Sequence, residues 1–321
     1  EYYELMTLRL IEKVQNELHY RLEKSSISSF MENMVNYMIS NDSFFNVPLP
    51  QLLKNIAIEE KEIFKRFLDE NILLRKDLAP AAKGAFSHNE VVNFTYDSFR
   101  DYIISAYLSD SILPRNFSEY ERSVRIFTSS GHQLREGITP FLFVHSKNNQ
   151  QRNACNVLSQ LDWYEDVFEG YIWDVKEESI EDADIKTVQN LLSKESPKHV
   201  AYQLVYWGRW NTEKHGRLNI RLLLDHLSTL DDKALSEFME KIWSQEIKKY
   251  YGRQNEKSER WHMINSLEKL MEDNEIIQYK DIQNLYELLL YMCGCSERYA
   301  QDVYIQYLRK FGNVQQMEAV Q

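Results

Sequence analysis

Apolar residues recur at helical spacing through most of this chain. Leu10, Val14, Leu18 and Leu22 stand at every fourth position and predict a helix from about Tyr3 to Glu23. Phe30, Met34, Tyr37 and Met38 predict a second helix over about Ser29 to Ser40, ended by Asn41, Asp42 and Ser43. Pro48, Leu49 and Pro50 then set up a short helix carrying Leu52, Leu53 and Ile56. From Glu59 to Glu70 the stripe is Ile63, Phe64, Phe67 and Leu68, and Asn71 suits a left-handed C-terminal cap. Ile72 to Arg75 reads as a strand, and the polar stretch to Asn89, holding Pro80 and Gly84, as a loop.

At Val91 the period changes. Val91, Val92 and Phe94 suit a half-buried strand. Phe99, Tyr102, Ile103, Ala106 and Tyr107 then fall on one helical face, which leaves Arg100 and Asp101 on the opposite, solvated side. Ser98 with Asp101 fits a capping box, and Asp97 is the alternative cap. Beyond Leu108 the pattern is all-helical, punctuated by Pro114 and Pro140, with Pro197 opening a further helix-rich section. Leu227 and Leu270 stand 43 residues apart in two similar leucine-rich stretches. That spacing lies within the ~40–47 residues of HEAT or armadillo helix pairs.

Three helices, a strand, a loop and a returning strand form the order of a winged helix. The segment from Phe94 through Tyr96, Asp97, Arg100, Asp101 and Tyr102 to Ser105 and Ala106 resembles the motif closing the winged-helix domain of STAND/NACHT-type signalling NTPases. The family's usual histidine position holds Tyr96 here. The resemblance implies a mainly α chain in three parts. Residues 1–24 would be a linking helix from a nucleotide-binding domain, 25–108 a winged helix, and 109–321 a helical sensor region of HEAT- or TPR-like hairpins. In that family the winged helix autoinhibits, the motif histidine reaches the β-phosphate of bound ADP, and the helical region recognises a protein trigger before the protein oligomerises. Bacterial members include antiphage sensors. Tyr96 and Asp97 are therefore the nucleotide-sensing candidates, in the full parent.

Composition narrows the alternatives. With 321 residues and 43% apolar residues, the chain is long and apolar enough for real cores. Its 49 acidic against 38 basic residues give a net charge of −11, which disfavours a general nucleic-acid binder. No apolar run approaches the ~18 residues of a membrane span; 138–144 and 285–293 are the longest. Three cysteines, Cys155, Cys293 and Cys295, argue against a disulfide framework and for a reducing cytosol. The first residue is Glu1 and helical pattern begins at once, so the chain reads as a fragment whose N-terminal portion is missing.

Little of the remaining chemistry points to catalysis. No Gly-Lys dipeptide occurs, so a phosphate-binding loop is lacking, and ATP or ADP with Mg is expected only in a parent chain. Cys293-Gly294-Cys295 lacks a second ligand pair, and His199, His215, His226 and His262 match no metal spacing. The acidic run 177–184 has no glycine where a calcium loop needs one and reads as a solvated loop or helix start. A winged helix invites a DNA-binding reading, yet Glu59, Glu60, Glu62 and Asp69 place carboxylates among Lys61, Lys65 and Arg66 on the second helix. The chain holds 20 Tyr, 15 Phe and 6 Trp. Tyr202, Tyr206, Trp207 and Trp210 are the protein-binding candidates, with gap-filling between hairpins the plainer role. The functional expectations are a STAND sensor fragment, a winged-helix transcriptional regulator, or a helical-repeat scaffold, in a cytoplasmic protein.

Overall fold

The fold is described from a computed structural model, covering residues 2–17, 24–57, 60–78, 89–194, 200–201, 203–204, 216–231, 233–235, 237–238 and 309. The described chain is mainly helical with one small sheet. Its contacts divide it into two units, Glu1–Ser146 with Gln151–Leu161, and Lys147–Gln150 with Asp162–Gln321.

The first unit begins with α1 (Tyr2–Glu17) and α2 (Lys24–Ser40). Leu10 and Val14 of α1 are buried as their spacing predicts, while Leu18 and Leu22 lie outside the described residues. Asp42 ends α2 at φ 48°, and Ser43 N–H reaches back to the Met38 carbonyl at 2.9 Å. These are the left-handed residue and long return bond of a Schellman cap. A two-residue strand β1 (Val47–Pro48) leads into α3 (Leu49–Asn55) and then α4 (Glu60–Asp69). Ile63, Phe64 and Phe67 of α4 are buried, with Phe67 edge-on to Phe30 of α2 at 5.2 Å. Asn71 adopts φ 56° and Ile72 N–H returns to the Phe67 carbonyl at 2.9 Å, the cap its side chain and position predict.

Strand β2 (Leu73–Asp77) starts and ends slightly later than the pattern suggests, and β3 (Glu90–Phe94) follows the segment 79–88. Both pair antiparallel, Leu73 opposite Phe94 and Asp77 opposite Glu90, while Val47 of β1 pairs with Val92. The sheet order is therefore β1-β3-β2, with the most apolar strand in the centre and Pro48 on an edge, where a missing N–H costs no ladder bond. Thr95 N–H bonds the Ile72 carbonyl at 2.9 Å and holds the end of β3 beside the cap of α4.

Helix α5 (Asp97–Ala106) leaves β3 almost directly and passes into a π-helical turn, Tyr107–Ile112. α6 (Phe117–Phe127) is capped by the Asn116 side chain, which accepts from Glu119 N–H at 3.1 Å. α7 (Arg135–Asn148) contains Pro140 in its interior, so this proline does not punctuate the chain as its type suggests. Ile138, Leu142 and Phe143 are buried on this helix, and that packing outweighs the lost backbone bond. α8 (Arg152–Leu158) completes the unit.

In the second unit, α9 (Tyr164–Tyr171) and two short 3-10 turns bury Trp163, Phe168 and Trp173. α10 (Asp182–Leu192) begins in a capping box of Glu181 and Asp184, so the acidic run is a helix start as expected. Asp184 is not solvated, however: it is buried and meets Lys147 Nζ at 2.7 Å, because a carboxylate inside needs a cation beside it. α11 (Ile220–Ser228) packs Leu223, Leu224 and Leu227 inward. The second leucine-rich stretch, around Leu270, lies outside the described residues.

Candidate functional site

The strand-to-helix junction is the site the sequence singled out. Tyr96 holds the N-cap position of α5 with extended backbone, φ −119° and ψ 119°, and its side chain makes no capping bond. The residue is 61% exposed. Asp97 occupies the first helical position rather than the cap, and its carboxylate is also exposed. Ser98 does not cap either, since its Oγ accepts from the Tyr3 hydroxyl of α1 at 2.7 Å. The capping box proposed for Ser98 and Asp101 therefore does not form.

Arg100 and Asp101 are the main correction to the sequence reading. Both are buried, at 4% and 5% exposure, where a solvated face was expected. Arg100 Nε and Nη2 donate to Asp101 Oδ1 at 2.9 and 2.7 Å, and Nη1 donates to Asp97 Oδ1 at 2.8 Å. Its guanidinium also lies 4.0 Å over the ring of Phe45, in the segment before β1. Asp101 Oδ2 sits against Gly137 of α7, where an added Cβ would come within 1.9 Å. Two neighbouring elements thus cover a face of α5 that periodicity alone assigns to water. Burial raises the Asp101 carboxyl above the ordinary carboxylate range; Arg100 opposes that shift and Asp97 adds to it.

The hydrophobic side of α5 follows its spacing more closely. Phe99 and Ile103 are buried, and Phe94 packs edge-on to Phe99 at 5.9 Å. Tyr102 and Ala106 are half-buried. Tyr102 meets Tyr3 at 5.7 Å in a stacked pair and Phe141 of α7 at 5.8 Å. Burial and the nearby Glu4 and Asp110 carboxylates push its hydroxyl up to about 12. Phe45, Gly137 and Tyr3 carry no motif that marks them. The one usable signal is a glycine within a helical pattern, which often means close approach of another group.

Glu60 also departs from expectation. It is buried at the start of α4 and accepts from Asn33 Nδ2 at 2.8 Å and from Ala57 N–H at 2.6 Å. It therefore ties α4 to α2 and does not face outward with Lys61, Glu62 and Lys65, which are exposed.

A second polar group lies deeper in the first unit. Tyr120 on α6 is fully buried near Ser109 of the π-helical turn and Ser146 of α7. Burial pushes its hydroxyl up to about 12, eased by the two serines, although none of the three hydroxyls makes a bond of ordinary geometry. His145 Nε2 lies 2.7 Å from Asp110 Oδ1. His226 is half-buried against Phe238, and burial lowers its pKa. Among the described residues no group of three metal-ligating side chains gathers, and no helix is long and apolar enough to cross a membrane.

Tyr96 and Asp97 are thus adjacent and open to solvent. Tyr202, Tyr206, Trp207 and Trp210 lie outside the described residues, as do Cys293, Cys295, His199, His215 and His262. No protein-family model, no curated protein and no solved structure matches this chain.

Proposed function

We propose that residues 25–108 form a winged helix and that the chain is the regulatory and sensor part of a STAND-type signalling NTPase. The observation carrying this reading is the strand-to-helix junction within its sheet. Helix, strand, two helices and two strands succeed one another with sheet order β1-β3-β2, and the last strand feeds α5. At that point the motif-like residues divide sharply. Phe94, Phe99, Arg100 and Asp101 are buried and fix the helix, whereas Tyr96 and Asp97 project into solvent. A rigid helix start with an exposed hydroxyl donor suits contact with a group held by another domain.

In this reading the winged helix holds a nucleotide domain closed, and the helical region senses a protein trigger, as in antiviral defence. Trigger binding favours an open, oligomerising state only if it binds that state more tightly. ATP or ADP with Mg belongs to the parent. The test is to sequence the coding region upstream of Glu1 and to analyse nucleotide released from the denatured parent polypeptide. A phosphate-binding loop upstream and about one bound nucleotide per chain are expected. A start codon directly before Glu1, with no nucleotide recovered, overturns the reading.

One observation favours the regulator alternative. Burial of Glu60 removes a carboxylate from the outer face of α4, where Lys61 and Lys65 are exposed. Against it, Glu62 and Asp69 share that face, Arg66 pairs with Asp69 at 3.5 Å, and Arg75 of β2 is ion-paired with Glu90. Those carboxylates lie where phosphates would have to approach, so autoinhibition is the better-supported role.

A further inference from the structure

The two halves of α1 are fastened very differently. Leu10, Ile11 and Val14 in the second half are buried, and Lys13 is ion-paired with Glu70 at the end of α4. In residues 2–9 no side chain is fully buried: Tyr3, Met6 and Thr7 are half-buried, while Tyr2, Leu5 and Leu8 are apolar and exposed, at 73%, 47% and 53%. Docking therefore gives those three less hydrophobic gain than full burial would, since about half or more of each stays in water. Tyr3 supplies the visible attachment. Its ring stacks on Tyr102 at 5.7 Å, lies edge-on to Phe141 at 5.4 Å and tilts toward Phe99 at 6.4 Å. Its hydroxyl donates to Ser98 at 2.7 Å.

We propose that residues 2–9 of α1 are a releasable strap latched to α5 and α7 by Tyr3. A helical stretch this short is marginal in water by itself, so losing the latch means local unfolding of the strap while the rest of the unit stays folded. Release uncovers Tyr102, Phe141 and Ser98, and Ser98 directly follows the exposed Tyr96–Asp97 pair in sequence. The strap thus links the first turns of α1 to the helix that carries that pair. The proposal concerns this chain alone and does not depend on the NTPase reading.

Native-state hydrogen exchange on the full chain tests it. The amides of residues 6–9 are the informative ones, because the first helical N–H groups have no intrahelical partner. In the unaltered chain they should exchange about tenfold or more faster than the amides of residues 101–104 in α5. Tyr3→Ala should speed them a further tenfold or so and leave α5 and α4 unchanged. Tyr3→Phe, which keeps the ring and removes the Ser98 bond, should fall between. Unchanged exchange at 6–9 in both variants overturns the proposal, because another contact then holds the strap. Equal acceleration of α1, α5 and α7, or failure of Tyr3→Ala to fold while Tyr3→Phe gives equal acceleration, also overturns it. Either result makes the strap part of the common cooperative unit.

Discussion

Arg100 has three ways of being held, and they differ in worth. Its bonds to Asp101 are buried on both sides, whereas Asp97 is largely in water and screened. Removing one member of a buried pair strands the other charge, a loss of about 3–5 kcal/mol, while an exposed partner is worth about 1 kcal/mol or less. Arg100→Ala should therefore destabilise the chain far more than Asp97→Ala, as read by urea denaturation; equal effects would mean the buried pair contributes nothing. Asp101 adds a pH dependence of defined sign. Burial raises its folded-state pKa above the unfolded value, so between those two values the folded form holds more protons. Stability contributed by this group rises as pH falls through that window and declines as pH rises through it. Comparing melting temperatures of the natural chain and Asp101→Asn from pH 4 to 7 should show a slope in the first that the variant lacks. Tyr120 offers the opposite kind of test. Its hydroxyl is fully buried without a bond of ordinary geometry, so Tyr120→Phe should cost under about 1 kcal/mol or stabilise.

At the scale of elements, the contact between α5 and α7 is set by two backbone-level features. Gly137 lets Asp101 lie against the helix, and Ser105 Oγ donates to its own Asp101 carbonyl at 2.8 Å and lies 3.3 Å from the Ile138 carbonyl. Alanine is ordinarily the better helix residue by about 1 kcal/mol, yet here its Cβ would collide with a carboxylate held by Arg100. Gly137→Ala should thus lose about 1–3 kcal/mol, the usual cost of overpacking. A stabilised variant would show that Asp101 can move aside freely. The hydrophobic side of α5 gives the larger effect. Phe99 is 1% exposed, and Phe99→Ala should cost about 3–5 kcal/mol through the cavity it leaves, by the same denaturation assay.

For the molecule as a whole, charge and the missing phosphate loop govern what the chain can bind unaided. Calorimetric titration with ATP or ADP should give no stoichiometric binding. Association with duplex DNA, followed by fluorescence anisotropy, should be weak and vanish by physiological salt, because a nonspecific component falls steeply with ionic strength. Binding that survives such salt would favour the regulator reading. The net charge of −11 and the pairing of Arg66 and Arg75 point to the salt-erased outcome.

The sequence by itself determined several elements of the first unit and one of their ends. Helical spacing located α2, α4 and α5, a cluster of β-branched and aromatic residues located β3, and Asn71 announced the left-handed cap of α4, because these depend on local backbone sterics and on where apolar side chains cluster. Tyr96 and Asp97 were legible as a junction for the same reason. What the tertiary structure alone decided was which polar residues go inside. Arg100 and Asp101 lie opposite the stripe that spacing marks on α5, whereas Glu60 and Asp184 fall on the apolar stripes of their own helices, with Ile63, Phe64 and Phe67 and with Val188, Leu191 and Leu192. Each of the four is buried beside a partner distant in sequence or an element arriving from elsewhere. A carboxylate or guanidinium can leave water only when donors, acceptors and opposite charge are waiting for it. Those partners are assembled by the fold, so no pattern along one helix can reveal them.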